Sequence, residues 1–236
     1  EKCFKRCKTL KIKFLSSPFS IEDIIYLKKF KMKYFKIPSG EITNLPYLKF
    51  ISNQKTKLIL STGMSTLKEI KNAIRVLKKN SLSSKKITLL HCNSSYPTPY
   101  EDVNLKTIEY LKKKFNVEAG ISDHSLGIEV PIAAVALGAT VVEKHFTLNT
   151  KAKGPDHNSS VGPKDLAQMV KSIRNIEKSL KIKKKITPSE IKNLKIVRKS
   201  IVAKKNIFRF ETFSKDNLTC KRPGIGISPM NFEGII

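Results

Sequence analysis

The 236-residue sequence has no tryptophan, only four cysteines, four histidines and ten glycines. Nowhere does an apolar run approach the ~20 residues of a membrane-spanning helix. The first residues also lack the apolar core of a secretory leader, so the expectation is a cytoplasmic chain with no membrane partner. The cysteines, Cys3, Cys7, Cys92 and Cys220, include one i, i+4 pair and no C-x-x-C. That spacing argues against a zinc ribbon and fits reduced thiols. Acid is scarce: 19 Asp and Glu stand against 46 Lys and Arg, a formal net charge of +27. Arginine is scarce too, with only Arg6, Arg75, Arg174, Arg198, Arg209 and Arg222. Nucleic-acid recognition favours the forked guanidinium, and the lysines are scattered over every segment rather than gathered on one. The charge is therefore assigned to background composition and no nucleic-acid partner is expected. The G-x-G-x-x-G and P-loop patterns are also absent, which removes support for a nucleotide-binding sheet.

What the chain does have is 40% hydrophobic residues, enough for a proper core. Six short β-prone runs, at residues 10–17, 33–37, 57–62, 86–92, 117–123 and 140–146, alternate with helical patterns. One helix follows "LILST": Thr66 and Glu69 form a capping box, and Leu67, Ile70, Ala73, Ile74 and Leu77 recur at helical spacing. Another starts at Pro163, a favoured first helical position, and repeats Leu166, Met169, Val170, Ile173, Ile176 and Leu180 on one face. This alternation predicts an α/β fold with parallel strands, either an open doubly wound sheet or a barrel. Polar residues decorate the carboxyl end of every predicted strand, from Ser16 and Ser17 through Ser39, Ser61, Ser94 and Ser122 to His145. A (β/α)8 barrel brings many strand ends to one mouth, whereas an open sheet concentrates its ligands at a switch point, so a TIM barrel is the preferred reading.

From about residue 180 the texture changes. Residues 181–199 are basic, carry a proline and read as a linker with a short helix; residues 200–236 supply brief β-prone runs broken by Pro and Gly. About 35 residues cannot bury much surface alone, so this module is expected to pack on something larger or to be incomplete.

Two successive apolar runs end on imidazoles, His124 in "ISDHSLGIEV" and His145 in "VVEKHFTLNT", with the acids Asp123 and Glu143 beside them. Neutral imidazoles at adjacent strand ends can hold one divalent ion and leave coordination positions open, as catalytic metal sites do. The plainer alternative is a turn-capping His124 and a hydrogen-bonded core His145. Lys36 with several hydroxyls suggests a phosphate half-site, while Ser39 and Ser61 also suit turn and helix-cap roles. Residues 153–163, "KGPDHNSSVGP", lack helix or strand period and bring Asp156 and His157 into a loop that is either substrate-binding or simply solvated.

The segments "KIPSGEITNLP", "LILSTGMSTLKEI", "LLHCNSSYPTPYEDVNL", "GISDHSLGIEVPIAAVALGATVVEKHFTL", "KGPDHNSSVGP" and "KRPGIGISP" together resemble the sialic acid synthase family of N-acetylneuraminate, legionaminate and pseudaminate synthases. The resemblance covers nearly the whole chain. It implies a TIM barrel followed by a small antifreeze-like SAF domain, a divalent metal (Mn2+, with Mg2+ or Co2+ as substitutes), and condensation of phosphoenolpyruvate with an N-acetylated aldose. It also implies a homodimer in which the small domain covers the partner's barrel. Position by position, His124 and His145 match the family's metal ligands. Lys36, Ser39, Ser61 and Ser122 match residues around phosphoenolpyruvate, with Ser94 and Tyr96 near its phosphate. Glu41 and Asp156 match contacts to sugar hydroxyls, and Arg222 matches an arginine that reaches the N-acetyl group from the other subunit. Lys36, Glu41, His124 and His145 are the expected catalytic set.

The sequence departs from that pattern in places. "KIKFLSSPFS" matches the family's third strand, so the barrel is expected to run from strand three to strand eight, without the family's "E-I-G-x-N-H" and "K-F-Q" type strands. Residues 200–236 match only part of a SAF domain. Pro38 stands where a small residue is usual, and Phe210 replaces the glycine expected before Glu211. Weak or absent turnover by the chain as written is the corresponding expectation. The competing reading is a non-catalytic subunit that binds phosphosugar or a partner without turnover.

Overall fold

The computed structural model describes residues 1–79, 83–181 and 184–236. Residues 182 and 183 of the expected linker lie outside the described residues. The chain divides into two compact units, Glu1–Leu180 and Lys181–Ile236.

In chain order the first unit contains α1 (Lys2–Thr9), α2 (Ile21–Lys28), β1 (Tyr34–Ile37), α3 (Leu45–Ser52), β2 (Lys57–Ser61) and α4 (Leu67–Lys79). It continues with β3 (Ile87–Cys92), α5 (Tyr100–Val103), α6 (Thr107–Phe115), β4 (Glu118–Asp123), α7 (Glu129–Ala136), β5 (Val142–Lys144) and α8 (Pro163–Ser179). The five strands form one parallel sheet in sequential order, with registers such as Lys36↔Ile59, Ser61↔Leu90, Cys92↔Ser122 and Asp123↔Lys144. Helix starts are set by local chemistry. The Ser20 side chain accepts from the Asp23 N–H, and Asn44 accepts from Tyr47 N–H. At α4 the capping box forms as the sequence predicts: Thr66 N–H and hydroxyl donate to Glu69 Oε2 at 2.7 Å, and Glu69 N–H donates back to Thr66 Oγ1.

Strand alternation divides the side chains between two faces. Phe35, Ile37, Leu58, Leu60, Ile87 and Leu89 turn to the helices and join Ile24, Leu48, Ile51, Ile70, Ile74 and Leu77 in the main core. Ala119 and Ile121 continue it beneath Ile108, Val130 and Ala134. The intervening residues, among them Lys36, Ile59, Ser61, Leu90, Cys92, Ser122 and Glu143, occupy the other face. That face is concave. In a flat sheet β1 and β5 would stand about four strand spacings apart, roughly 19 Å. Lys36 Nζ on β1 nevertheless lies 3.2 Å from Glu143 Oε1 on β5, which requires the sheet to curl. A curled parallel sheet with helices on its outer face fits part of a (β/α)8 barrel.

One predicted strand is absent. Residues 10–17 are irregular and leave the outer edge of β1 unpaired among the described residues, so β-prone composition alone does not make a strand here. Phe14 instead packs edge-on with Phe4 of α1 and Phe30. The expectation of a strand three at this position is therefore corrected.

The second unit holds α9 (Ile191–Val197) and a two-stranded antiparallel ladder of β6 (Ser200–Ala203) with β7 (Leu218–Lys221). Only Ser200, Asn217 and Leu218 are buried among its described residues. Ser200 ties the ladder to the following loop: its hydroxyl donates to Pro223 O and accepts from Gly226 N–H, both at 2.8 Å. Phe210 has φ of 70°, in the left-handed region, at a cost of about 1–2 kcal/mol for a side chain with a Cβ.

Candidate active site

The concave rim is built from the carboxyl ends of all five strands and the loops that follow them. His124, just past β4, is 4% exposed, and its Nδ1 lies 2.6 Å from Asn93 O, which leaves Nε2 to face the rim. Burial, and then the nearby His145, lower its pKa below the usual 6.5 against the opposing pull of that hydrogen bond. The ring is therefore neutral at neutral pH, the form that binds metals. His145, just past β5, stands with its ring centroid 5.2 Å from that of His124. Tyr96 packs on both imidazoles, at 4.1 and 5.5 Å between centroids. Its phenol is pushed above the ordinary value by burial and by the neighbouring Cys92, Asp156 and Glu143.

Lys36 is buried, and Glu143 receives both its ammonium and, at 2.6 Å, the Ser122 hydroxyl. Ser122 Oγ in turn lies 3.4 Å from His124 Nε2. A continuous polar chain thus runs from β1 across the concavity to β5 and back to β4. Beside it Ser39 Oγ accepts from Gly63 N–H at 3.0 Å and lies 3.7 Å from Cys92 Sγ. A Cβ at Gly63 would stand 2.5 Å from Ser94 Oγ and 2.9 Å from Ser39 Oγ, so only glycine keeps the space between those hydroxyls open. Ser61 is 2% exposed, and its hydroxyl is the one buried side-chain polar atom without a hydrogen-bond partner among the described residues. Such an orphan is costly unless a ligand or water completes it.

Asp156 reaches the rim from the loop after β5, with Oδ2 3.7 Å from His145 Nδ1. Its φ is 66°, and its carbonyl is held by the hydroxyls of Ser159 and Ser160. The rim therefore brings together Lys36, Ser122, Glu143, His124, His145, Tyr96 and Asp156, with Ser39, Ser94 and Gly63 forming a neighbouring cluster. Of the other predicted residues in the first unit, Glu41 is held by Asn44 Nδ2 at 2.6 Å and Ser61 joins no hydrogen bond through its hydroxyl. Within the second unit Arg222 donates to Val197 O.

A metal centre can be tested against this donor set. Nitrogen–metal bonds of ~2.1 Å at tetrahedral or right angles would place two ligating ring centroids about 4.6–5.3 Å apart. The observed 5.2 Å fits. No cluster of three His, Cys, Asp or Glu competent to hold an ion is present among the described residues. An ion held by the imidazole pair would keep several positions open.

One residue is corrected and one was missed. Asp123 was expected beside the imidazoles, but strand alternation turns it to the helix face, where it pairs with Lys144 at 2.6 Å. Glu143, an acid to which the sequence assigns no role, is the hub of the polar chain. The signal was available in "VVEKHF": Glu143 and His145, two apart, share a face.

An imidazole pair beside a buried lysine and hydroxyls, at the carboxyl edge of curled parallel strands, defines a barrel-type site at a strand-end mouth. Comparison with known proteins gives the family: the NeuB family profile matches residues 1–185, and the chain belongs to that family. It is 52% identical to the N,N'-diacetyllegionaminic acid synthase of Campylobacter jejuni over 97% of this chain and 68% of that protein. Against pseudaminic acid synthase of the same organism identity is 36%, over 94% of this chain and 64% of the relative. Among solved structures, N-acetylneuraminic acid synthetase from Leptospira borgpetersenii, in complex with citrate, superposes with a TM-score of 0.74 at 36% identity, covering 80% of this chain and 66% of the other. The chain thus spans about two thirds of the length of these relatives.

Proposed function

We propose that this polypeptide serves the condensation of phosphoenolpyruvate with an N-acetylated aldose, forming a nonulosonic acid and releasing phosphate. The observation that carries the reading is the convergence of Lys36, Ser122, Glu143, His124, His145 and Tyr96 from separate strands onto one concave rim. Lys36 is the group that would meet the anionic substrate, exchanging Glu143 for the incoming charge. Ser61, with its unpaired hydroxyl, and Ser39, Ser94 and Ser122 supply donors around it. These fixed donors hold the enol phosphate so that its C3 faces the sugar's aldehyde carbon. His124 and His145 would hold a divalent ion, Mn2+ by preference, which when bound supplies Lewis-acid polarisation of the aldehyde oxygen. A new bond joins C3 to that carbon, water adds to the electron-poor C2, and phosphate leaves with cleavage of its C–O bond. Asp156 and Glu41 are assigned to sugar hydroxyls.

The same reading assigns the second unit to an SAF-type domain that carries Arg222 to the sugar's N-acetyl group in a partner subunit of a homodimer, and places the reaction in the cytoplasm. No helix among the described residues is long and apolar enough to cross a membrane. The test is phosphate release by the full-length polypeptide when phosphoenolpyruvate is offered with N-acetylmannosamine or with its diacetylated counterpart. Metal-dependent release with either sugar supports the proposal. Binding of both substrates without release would instead identify a non-catalytic subunit.

A further inference from the structure

Directly behind the imidazole pair, on the helix face, lies a buried charged cluster that the proposed chemistry does not use. Asp123 and Lys144 are cross-strand partners in the β4–β5 register, with side chains 1% and 3% exposed and an Nζ–Oδ2 distance of 2.6 Å. Ser125 closes the cluster. Its N–H and hydroxyl both donate to Asp123 Oδ1, at 2.9 and 2.6 Å, and its carbonyl accepts from Lys144 Nζ at 2.7 Å. His124 is therefore clamped on both flanks, by Asp123 before it and Ser125 after it, and His145 directly follows Lys144.

We propose that Asp123, Lys144 and Ser125 are positioning residues: a three-residue clamp on the outer face that fixes the separation and orientation of the His124 and His145 rings on the inner face. The inference rests on the reading of that pair as the metal site. Three features support it over a purely stabilising role. Replacing a buried ion pair by apolar residues of similar volume is commonly neutral or stabilising, so stability alone does not require this one. The adjoining groove is lined mostly by apolar side chains, Val135, Val142, Leu166, Met169 and Ile173, together with Thr140, Arg174 and Glu177, so apolar residues could also occupy the clamp's place. Apolar packing is non-directional, however, whereas four hydrogen-bonded contacts at 2.6–2.9 Å fix the backbone on either side of His124.

The test compares the Asp123→Leu/Lys144→Met double variant with Lys144→Arg and the parent chain. Thermal unfolding checks that the double variant stays folded. The metal-free readout is cross-relaxation between the His124 and His145 ring protons by NMR; the metal readout is Mn2+ affinity by paramagnetic resonance. With the clamp removed, the ring cross-peak is expected to vanish while the variant still unfolds in one cooperative transition, and Mn2+ binding to weaken at least tenfold, roughly the effect of losing a ligand-orienting contact. Lys144→Arg, which keeps the cation, should retain both. A double variant that keeps the cross-peak and the parent's Mn2+ affinity overturns the clamp. Failure of the parent itself to bind Mn2+ removes the metal reading, and the cross-peak then decides the positioning role alone. Should the double variant not fold, Asp123→Asn, which keeps one acceptor for Ser125 and lacks the charge, takes its place with the same two readouts.

Discussion

The two faces of one sheet carry polar groups in opposite conditions. On the helix face Asp123, Lys144 and Ser125 satisfy one another, and His91 Nε2 rests 2.6 Å from Val103 O. On the concave face the Ser61 hydroxyl has no partner among the described residues, Glu143 is shared between Lys36 and Ser122, and Tyr96 and the Asp156 carboxylate are 44% exposed. Residues adjacent in sequence, Asp123 and His124 or Lys144 and His145, fall on opposite sides of this divide. Completed networks mark scaffold, and incomplete ones mark a surface waiting for a ligand.

The sharpest way to break the contrast is to unbalance the scaffold side. Lys144→Met alone strands the Asp123 carboxylate in the core and should lower stability by about 3–5 kcal/mol in urea unfolding, whereas the charge-free double variant should lose less, its cost being that of the Ser125 groups left without partners. A loss below about 1 kcal/mol would mean that the pair is solvated and the face is not a dry scaffold. On the concave side the sign should reverse. Ser61→Ala removes an orphan hydroxyl and is expected to leave the ligand-free chain unchanged or up to about 1 kcal/mol more stable, while weakening phosphoenolpyruvate binding about tenfold or more. Calorimetry reads both, and a destabilised Ser61→Ala would show that the hydroxyl has a partner after all.

The smallest effect concerns acid. His91 and His124, one on each side of the divide, are both held below the usual 6.5, chiefly by burial. The unfolded chain then takes up protons more readily than the folded one. Their contribution to stability is present above pH 6.5 and is lost as pH falls from there through the folded values. Unfolding midpoints should decline below that pH, and an Asn at position 91 should remove part of the decline. A flat profile would show that neither ring is kept neutral by its surroundings.

What could be read from the sequence follows the same divide. The runs that became β2, β3 and β4 were legible because a sheet buried beneath helices demands apolar side chains. Residues 10–17 have the same composition but pack through Phe14 on Phe4 and Phe30 instead of pairing with β1, a choice that composition does not carry. The imidazole pair was legible because each ring ends an apolar run. Proximity in sequence misplaces Asp123, because side chains in a strand alternate and turn it away from His124 toward Lys144. The bond between Lys36 and Glu143 could not be read at all: it depends on the curl of the sheet, which brings the first and last strands together.

Equilibrium titration of the chain with Mn2+, followed by paramagnetic resonance in the parent and in the separate His124→Ala and His145→Ala variants, tests the concave rim most directly. The prediction is a single ion per chain, with affinity lost by about a hundredfold or more in each variant. Undiminished binding in both variants would contradict a metal site shared by the two strand ends.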